Sequence, residues 1–189
     1  MDNLNYENNE YLDVVNDFDI VLESKSRYDI HRLGLLHREV HVWLFDKDKN
    51  VFFQKSAAHK SSAGLMDASV GGHVDRGEDY LTAAVRETKE ESGLSILLSD
   101  LILLTKIKGV SEHKKKGTIN NFTRAIYVYK NPVSENKIKA DFKETDGFHK
   151  FSFEFLLNLT KEQELLFHKF VPTHELPSLV NYLTKISSL

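Results

Sequence analysis

At 189 residues and 41% hydrophobic, the chain is long enough for one domain with a sizeable core and too short for two of ordinary size. A net charge of −3 gives no global basic field, so nonspecific nucleic-acid binding is not expected, and the absence of cysteine excludes disulfides, thiolate metal centres and a cysteine nucleophile. The acidic, polar start Met1-Asp-Asn-Leu-Asn-Tyr-Glu7 is unlike a signal peptide and no apolar run is long enough for a bilayer, so a cytoplasmic protein without membrane contact is expected.

Residues 1–10 are Asn- and Glu-rich and read as a flexible terminus, leaving 11–189 as a single domain. Residues 12–16 and 20–22 read as two strands of a hairpin turning at Asn16-Asp17. Residues 26–33 read as a short helix capped by Ser24 or Ser26 and stopped by Gly34. The apolar run Val40-His-Val-Trp-Leu-Phe45 predicts a central strand over 36–46, covered on both faces, with 51–55 returning as its antiparallel partner after a polar turn. A loop over 57–64 and a strand over 65–70 then deliver Gly71 and Gly72. Further on, Leu101-Ile-Leu-Leu104 reads as a buried strand, 108–121 as a charged loop, 122–129 as a strand, 141–147 as an acidic loop, 148–153 as a strand and 154–159 as a short helix. Residues 176–186 predict a closing amphipathic helix with Pro177 in its first turn. Such an order suggests a mixed sheet flanked by helices, an α/β fold.

The stretch between Gly72 and Leu94 carries the chemistry. Asp79 is a good N-cap and Gly93 a good left-handed stop, with Leu81, Ala84, Val85, Thr88 and Ser92 forming a thin stripe to pack on a sheet. Glu87, Glu90 and Glu91 stand at i, i+3 and i+4 and project from one face, where like charges repel. Arg86 offsets part of that repulsion through Glu90, but one cation does not neutralise three anions; a hard divalent cation does, and Mg²⁺ suits a few carboxylates facing a phosphate substrate. A solvated charged face is the plainer reading of Glu-x-x-Glu-Glu taken alone.

The whole string, Gly72, Glu78, Arg86, Glu87, Glu90, Glu91, Gly93 and Leu94 at the spacing G-x₅-E-x₇-R-E-U-x-E-E-x-G-U, resembles the signature of the Nudix hydrolases, with Thr88 the one departure at an aliphatic position. That resemblance implies an α/β/α sandwich with a mixed β-sheet and a loop-helix-loop motif, and hydrolysis of a diphosphate linked to another moiety. It implies Glu87, Glu90 and Glu91 as Mg²⁺ ligands (Mn²⁺ as an alternative), joined by the carbonyl of Gly72, with Arg86 orienting them and Glu78 in a lesser role. The general base differs between members, and Glu144 and Asp146 are loop candidates beside the simpler reading of a solvated loop. The expected partner is a small-molecule diphosphate. Homodimerisation, common in that family, is compatible with the chain, though no interface is legible.

A second resemblance, carried by Leu36-His-Arg-Glu-Val-His-Val-Trp-Leu-Phe45 and Ala68-Ser-Val-Gly-Gly-His73, is to the isopentenyl-diphosphate isomerase branch of the same fold. It places His37 and His73 at metal-ligand positions of that isomerase, with His31 one residue out of step with a third. The isomerase also uses a cysteine just before its histidine, where this chain reads Val70-Gly71-Gly72-His73, so isomerase activity is disfavoured. A module that senses a nucleotide without cleaving it is the remaining alternative, against which the intact motif argues.

Overall fold

The computed structural model describes residues 10–57, 63–114, 116–140 and 145–186. The opening hairpin forms as its turn chemistry predicts: β1 (Tyr11–Val15) pairs antiparallel with β2 (Val21–Ser26), and the Asn16 side chain accepts from the amides of Phe18 and Ile20. Helix α1 (Arg27–Leu33) follows, with Ser26 accepting from the Asp29 amide and Gly34 closing it at φ 66°.

Strand β3 (Leu36–Trp43) is the axis of the molecule. It runs parallel to β8 (Thr118–Tyr129) and antiparallel to β6 (Val70–His73), and touches β1 at Val14 and His37. With β7 (Leu101–His113) on the far side of β8, this makes a six-stranded mixed sheet in the order β2-β1-β3-β8-β7, β6 pairing with β3. Because side chains alternate along a strand, Val40, Val42 and Leu44 pack with Ala83 and Ala84 of α2 (Tyr80–Ser92), while Trp43 packs with Leu179 and Leu183 of α5 (Leu176–Lys185). Helices therefore cover both faces, giving the expected α/β/α layering. Between β9 (Thr145–Phe151) and α5 lie two short helices, α3 (Phe153–Leu157) and α4 (Lys161–Glu164), and a π-helical turn, Val171–Glu175.

Several expectations need correction. Strand β4 (Val51–Ser56) folds back from β3 only at the Phe45–Val51 bridge; its ladder partners are β5 (Met66–Asp67) and β9, in a second, three-stranded sheet. The predicted strand over 65–70 is split between the sheets, so Gly71 and Gly72 are rungs of β6, not a loop beyond it. Strand β7 is an edge strand with Leu103 half exposed, and the charged "loop" over 108–121 is mostly the β7–β8 hairpin, paired out to His113 and Thr118. Of the predicted acidic loop, residues 141–144 lie outside the described residues and Thr145 to Gly147 begin β9. In α2, Leu81 faces outward and Ala83 inward, and Thr88 is fully buried with its hydroxyl donating to the Ala84 carbonyl at 2.6 Å, so the departure from an aliphatic residue leaves no polar atom unpaired.

Candidate active site

Helix α2 begins at Asp79, whose carboxylate accepts from the Thr82 amide at 2.8 Å, and ends at Gly93 with φ 71°. At its middle stands Arg86, which ties the helix to the preceding loop. Its Nε and NH2 donate to Glu78 at 3.2 and 2.8 Å, NH1 donates to Glu87 at 2.8 Å and Glu90 at 3.3 Å, and NH2 also reaches the His73 carbonyl at 2.9 Å. A planar guanidinium with five N–H donors can serve that many acceptors at once; an ammonium cannot. Asp75 lies 3.7 Å from the same group. Four carboxylates thus surround one cation, a surplus of three negative charges when all are ionised.

The three helix glutamates share a face but not an environment. Glu90 is exposed. Glu87 lies over Gly72 so closely that a Cβ there would collide with its carboxylate. Burial, abetted by the charges of Glu90 and Asp75, pushes the Glu87 carboxyl up to about 7 despite Arg86. Glu91 is buried, its Oε2 accepting from Gln54 Nε2 at 2.6 Å and from the Gly71 amide at 2.9 Å.

The tightest constellation of donors is elsewhere. Among the described residues, the set of three His, Asp or Glu side chains with ligand atoms all within 4.8 Å of one another is His31, His37 and His73, from α1, β3 and β6. His73 Nε2 is 3.3 Å from His31 Nε2, a contact in which at least one nitrogen offers a lone pair. His37 Nδ1 is 3.0 Å from the Leu35 carbonyl, which requires the hydrogen on Nδ1 and leaves its buried Nε2 a lone pair without a partner. Burial holds His73 well below the ordinary histidine value and lowers His31 to about 4, with neighbouring positive groups adding to both. Imidazole nitrogens that converge in this way suit a borderline cation, which they hold through their unprotonated lone pairs. Glu39 stands behind them, Oε1 at 3.8 Å from His37 and 3.9 Å from His73, with its oxygens already taken by Asn120 and Arg124.

Both sets of residues fit a divalent cation, one by surplus carboxylate charge around a close-fitting glycine, the other by an orphaned buried nitrogen. Glu144 lies outside the described residues, and Asp146 is exposed at the start of β9. Sequence reasoning missed Gln54, Glu39, His41, Arg124 and Glu175. The signal available for two of them was polar residues at alternate positions, His37, Glu39 and His41, in an otherwise apolar strand.

The sequence profile of the NUDIX domain matches residues 35–175. An uncharacterized Nudix hydrolase of Clostridium acetobutylicum is 30% identical over 151 residues, covering 78% of this chain and 72% of that protein. An isopentenyl-diphosphate Delta-isomerase of Serratia proteamaculans is 37% identical over 97 residues, 51% of this chain and 54% of its own length. The chain spans about half the length of most curated relatives it matches. A crystal structure from Deinococcus radiodurans superposes with a TM-score of 0.59 at 22% identity, covering 83% of this chain and 97% of that one. With the motif intact, the fold matched and the profile covering residues 35–175, the chain belongs to the Nudix hydrolase family.

Proposed function

We propose that this chain hydrolyses a diphosphate linkage in an organic diphosphate, such as a nucleoside diphosphate linked to a further moiety, with Mg²⁺ or Mn²⁺ held by Glu87, Glu90 and Glu91 and the carbonyl of Gly72. The observation that carries the reading is the surplus of carboxylate around Arg86, with Glu87 pressed on Gly72. When bound, the cation supplies positive charge against the diphosphate oxygens and acidifies water. Arg86 holds Glu87, Glu90 and the loop residue Glu78 in register, and Gly72 leaves room for the Glu87 carboxylate. His31, His37 and His73 form a second cation site in this reading, suited to a borderline cation such as Zn²⁺.

The test is a hydrolysis screen across nucleotide, nucleotide-sugar and isoprenoid diphosphates with Mg²⁺ or Mn²⁺, products identified by mass. Cleavage of at least one class, lost in Glu90→Gln, is expected; no turnover of any would overturn the reading. The histidine trio also favours an isomerase reading, but the chain has no cysteine and Gly71 occupies the strand position before Gly72-His73. Interconversion of isopentenyl and dimethylallyl diphosphates would establish it, and its absence would remove it.

A further inference from the structure

Strand β3 places His37, Glu39 and His41 on the face that carries Trp43. The first belongs to the imidazole trio. His41 lies apart from it, among groups to which the hydrolysis proposed above assigns no task. It is buried, and its Nδ1 stands 3.0 Å from Oε2 of Glu175, a fully buried residue at the end of the π-helical turn and 134 positions away in sequence. Oε1 of Glu175 accepts from Arg124 NH1 at 3.0 Å. The other edge of that guanidinium donates to Glu39 Oε2 at 2.9 and 2.6 Å, and its face rests 4.1 Å from the Phe122 ring.

A carboxylate oxygen at that distance accepts, so the hydrogen of the His41–Glu175 bond sits on Nδ1, and in the neutral ring this leaves the lone pair on Nε2. The Nε2 edge of the ring faces a glycine. A Cβ on Gly71 would stand 2.8 Å from Nε2 and 2.7 Å from Cδ2, closer than carbon can approach. The amide of that same Gly71 donates to Oε2 of Glu91, so a single residue separates the imidazole from the innermost helix glutamate. Stability does not explain the arrangement, because a buried ion-pair network is commonly replaced by apolar side chains at no loss. A carboxylate that holds an imidazole in one tautomer, with the opposite nitrogen turned to a glycine rather than to a second carboxylate, is instead an arrangement that can move protons.

We propose that His41 is the proton carrier of this site and that Glu175 is the positioning residue that fixes its tautomer. The inference rests on the hydrolase reading. As the water oxygen bonds to phosphorus, one water O–H bond breaks and its proton passes to His41 Nε2. The P–O anhydride bond breaks with its electron pair going to the leaving phosphate oxygen, which then takes the proton back from Nε2. The charged groups facing His41 are Glu175 from the π-helical turn, Arg124 from β8, Asp67 from β5 and His168 from the segment before the turn.

Two measurements test this. Nitrogen-15 spectra of the imidazoles in the unmodified chain, at about pH 8, are expected to show His41 with its proton on Nδ1 and none on Nε2; an Nε2–H tautomer would overturn the proposal whatever any variant does. In the hydrolysis assay, His41→Gln is expected to lower kcat by about 10²- to 10³-fold with KM within about twofold, and added imidazole is expected to restore part of the rate of His41→Ala. Wild-type rates in His41→Gln, or a loss that imidazole does not rescue, would overturn the assignment and leave the hydrolase reading standing. If the unmodified chain cleaves no diphosphate, both fall.

Discussion

Replacing Glu87 by glutamine isolates the electrostatic stress that the proposed cation site carries when empty. The Glu87 side chain is only 12% exposed, and its carboxyl is pushed up to about 7 from an ordinary value of 4.5, by burial first and then by Glu90 and Asp75, against the pull of Arg86. Below about pH 4.5 the group is protonated in the folded and unfolded chains alike and contributes nothing. Between about pH 4.5 and 7 the unfolded chain releases the proton while the folded chain keeps it, so stability falls as pH rises. Above about pH 7 the loss is complete, and about 2.5 pKa units at 1.36 kcal/mol each make it about 3 kcal/mol. For a chain of this length that corresponds to about 6–12 °C in Tm. Burial depresses His31 and His73, which gives the opposite slope over part of the same range, so the quantity to read is the difference between wild type and Glu87→Gln. Thermal unfolding in chelator-treated buffer is expected to show the variant gaining on the wild type from pH 5 to pH 8, with Mg²⁺ narrowing the gap at pH 8. A constant difference across that range would refute the reasoning, as would Mg²⁺ leaving it unchanged.

Three further outcomes follow from the geometry. Gly72→Ala is expected to cost about 1–3 kcal/mol of stability by forcing its Cβ into the Glu87 carboxylate, read by denaturant unfolding, and to lower kcat as well; an unperturbed variant would show that the Glu87 carboxylate swings aside freely and is not held over Gly72. Co²⁺ titrated into the chelated protein is expected to produce visible absorption at the histidine trio, and His37→Ala to weaken that binding by about tenfold or more; an identical titration would place the cation elsewhere. Arg124→Ala is expected to lower Tm by about 6–20 °C, from a cost of about 3–5 kcal/mol for leaving Glu39 and Glu175 buried without their cation, and a near-neutral result in differential scanning calorimetry would contradict the network.

The parts of the structure that follow local rules were legible in the chain. Helix α2 begins at Asp79 and ends at Gly93, and α1 runs from Ser26 to Gly34, because a cap needs only its own side chain and the next few amides. The Asn16 turn formed for the same reason. Sheet membership was not legible in this way: an apolar run such as 101–104 reads alike whether it becomes a central strand or, as in β7, an edge. The exposure of Leu103 and the loss of β4 to a second sheet are settled by which other strands arrive, a question of pairing across many residues.

The candidate site divides along the same line. Arg86, Glu87, Glu90 and Glu91 are close because 3.6 residues make a turn, so their grouping is written in the spacing itself. Their differing fates are not: Glu91 is buried and Glu90 exposed because β4 and β6 bring Gln54 and the Gly71 amide to one side of the helix only. His31, His37 and His73 meet from a helix and two strands, and His41 meets Glu175 across 134 residues. No periodicity encodes such meetings. They exist only once burial of both faces of β3 has fixed the register of its neighbours, which is why the chain alone determined the motif helix and the tertiary structure decided what surrounds it.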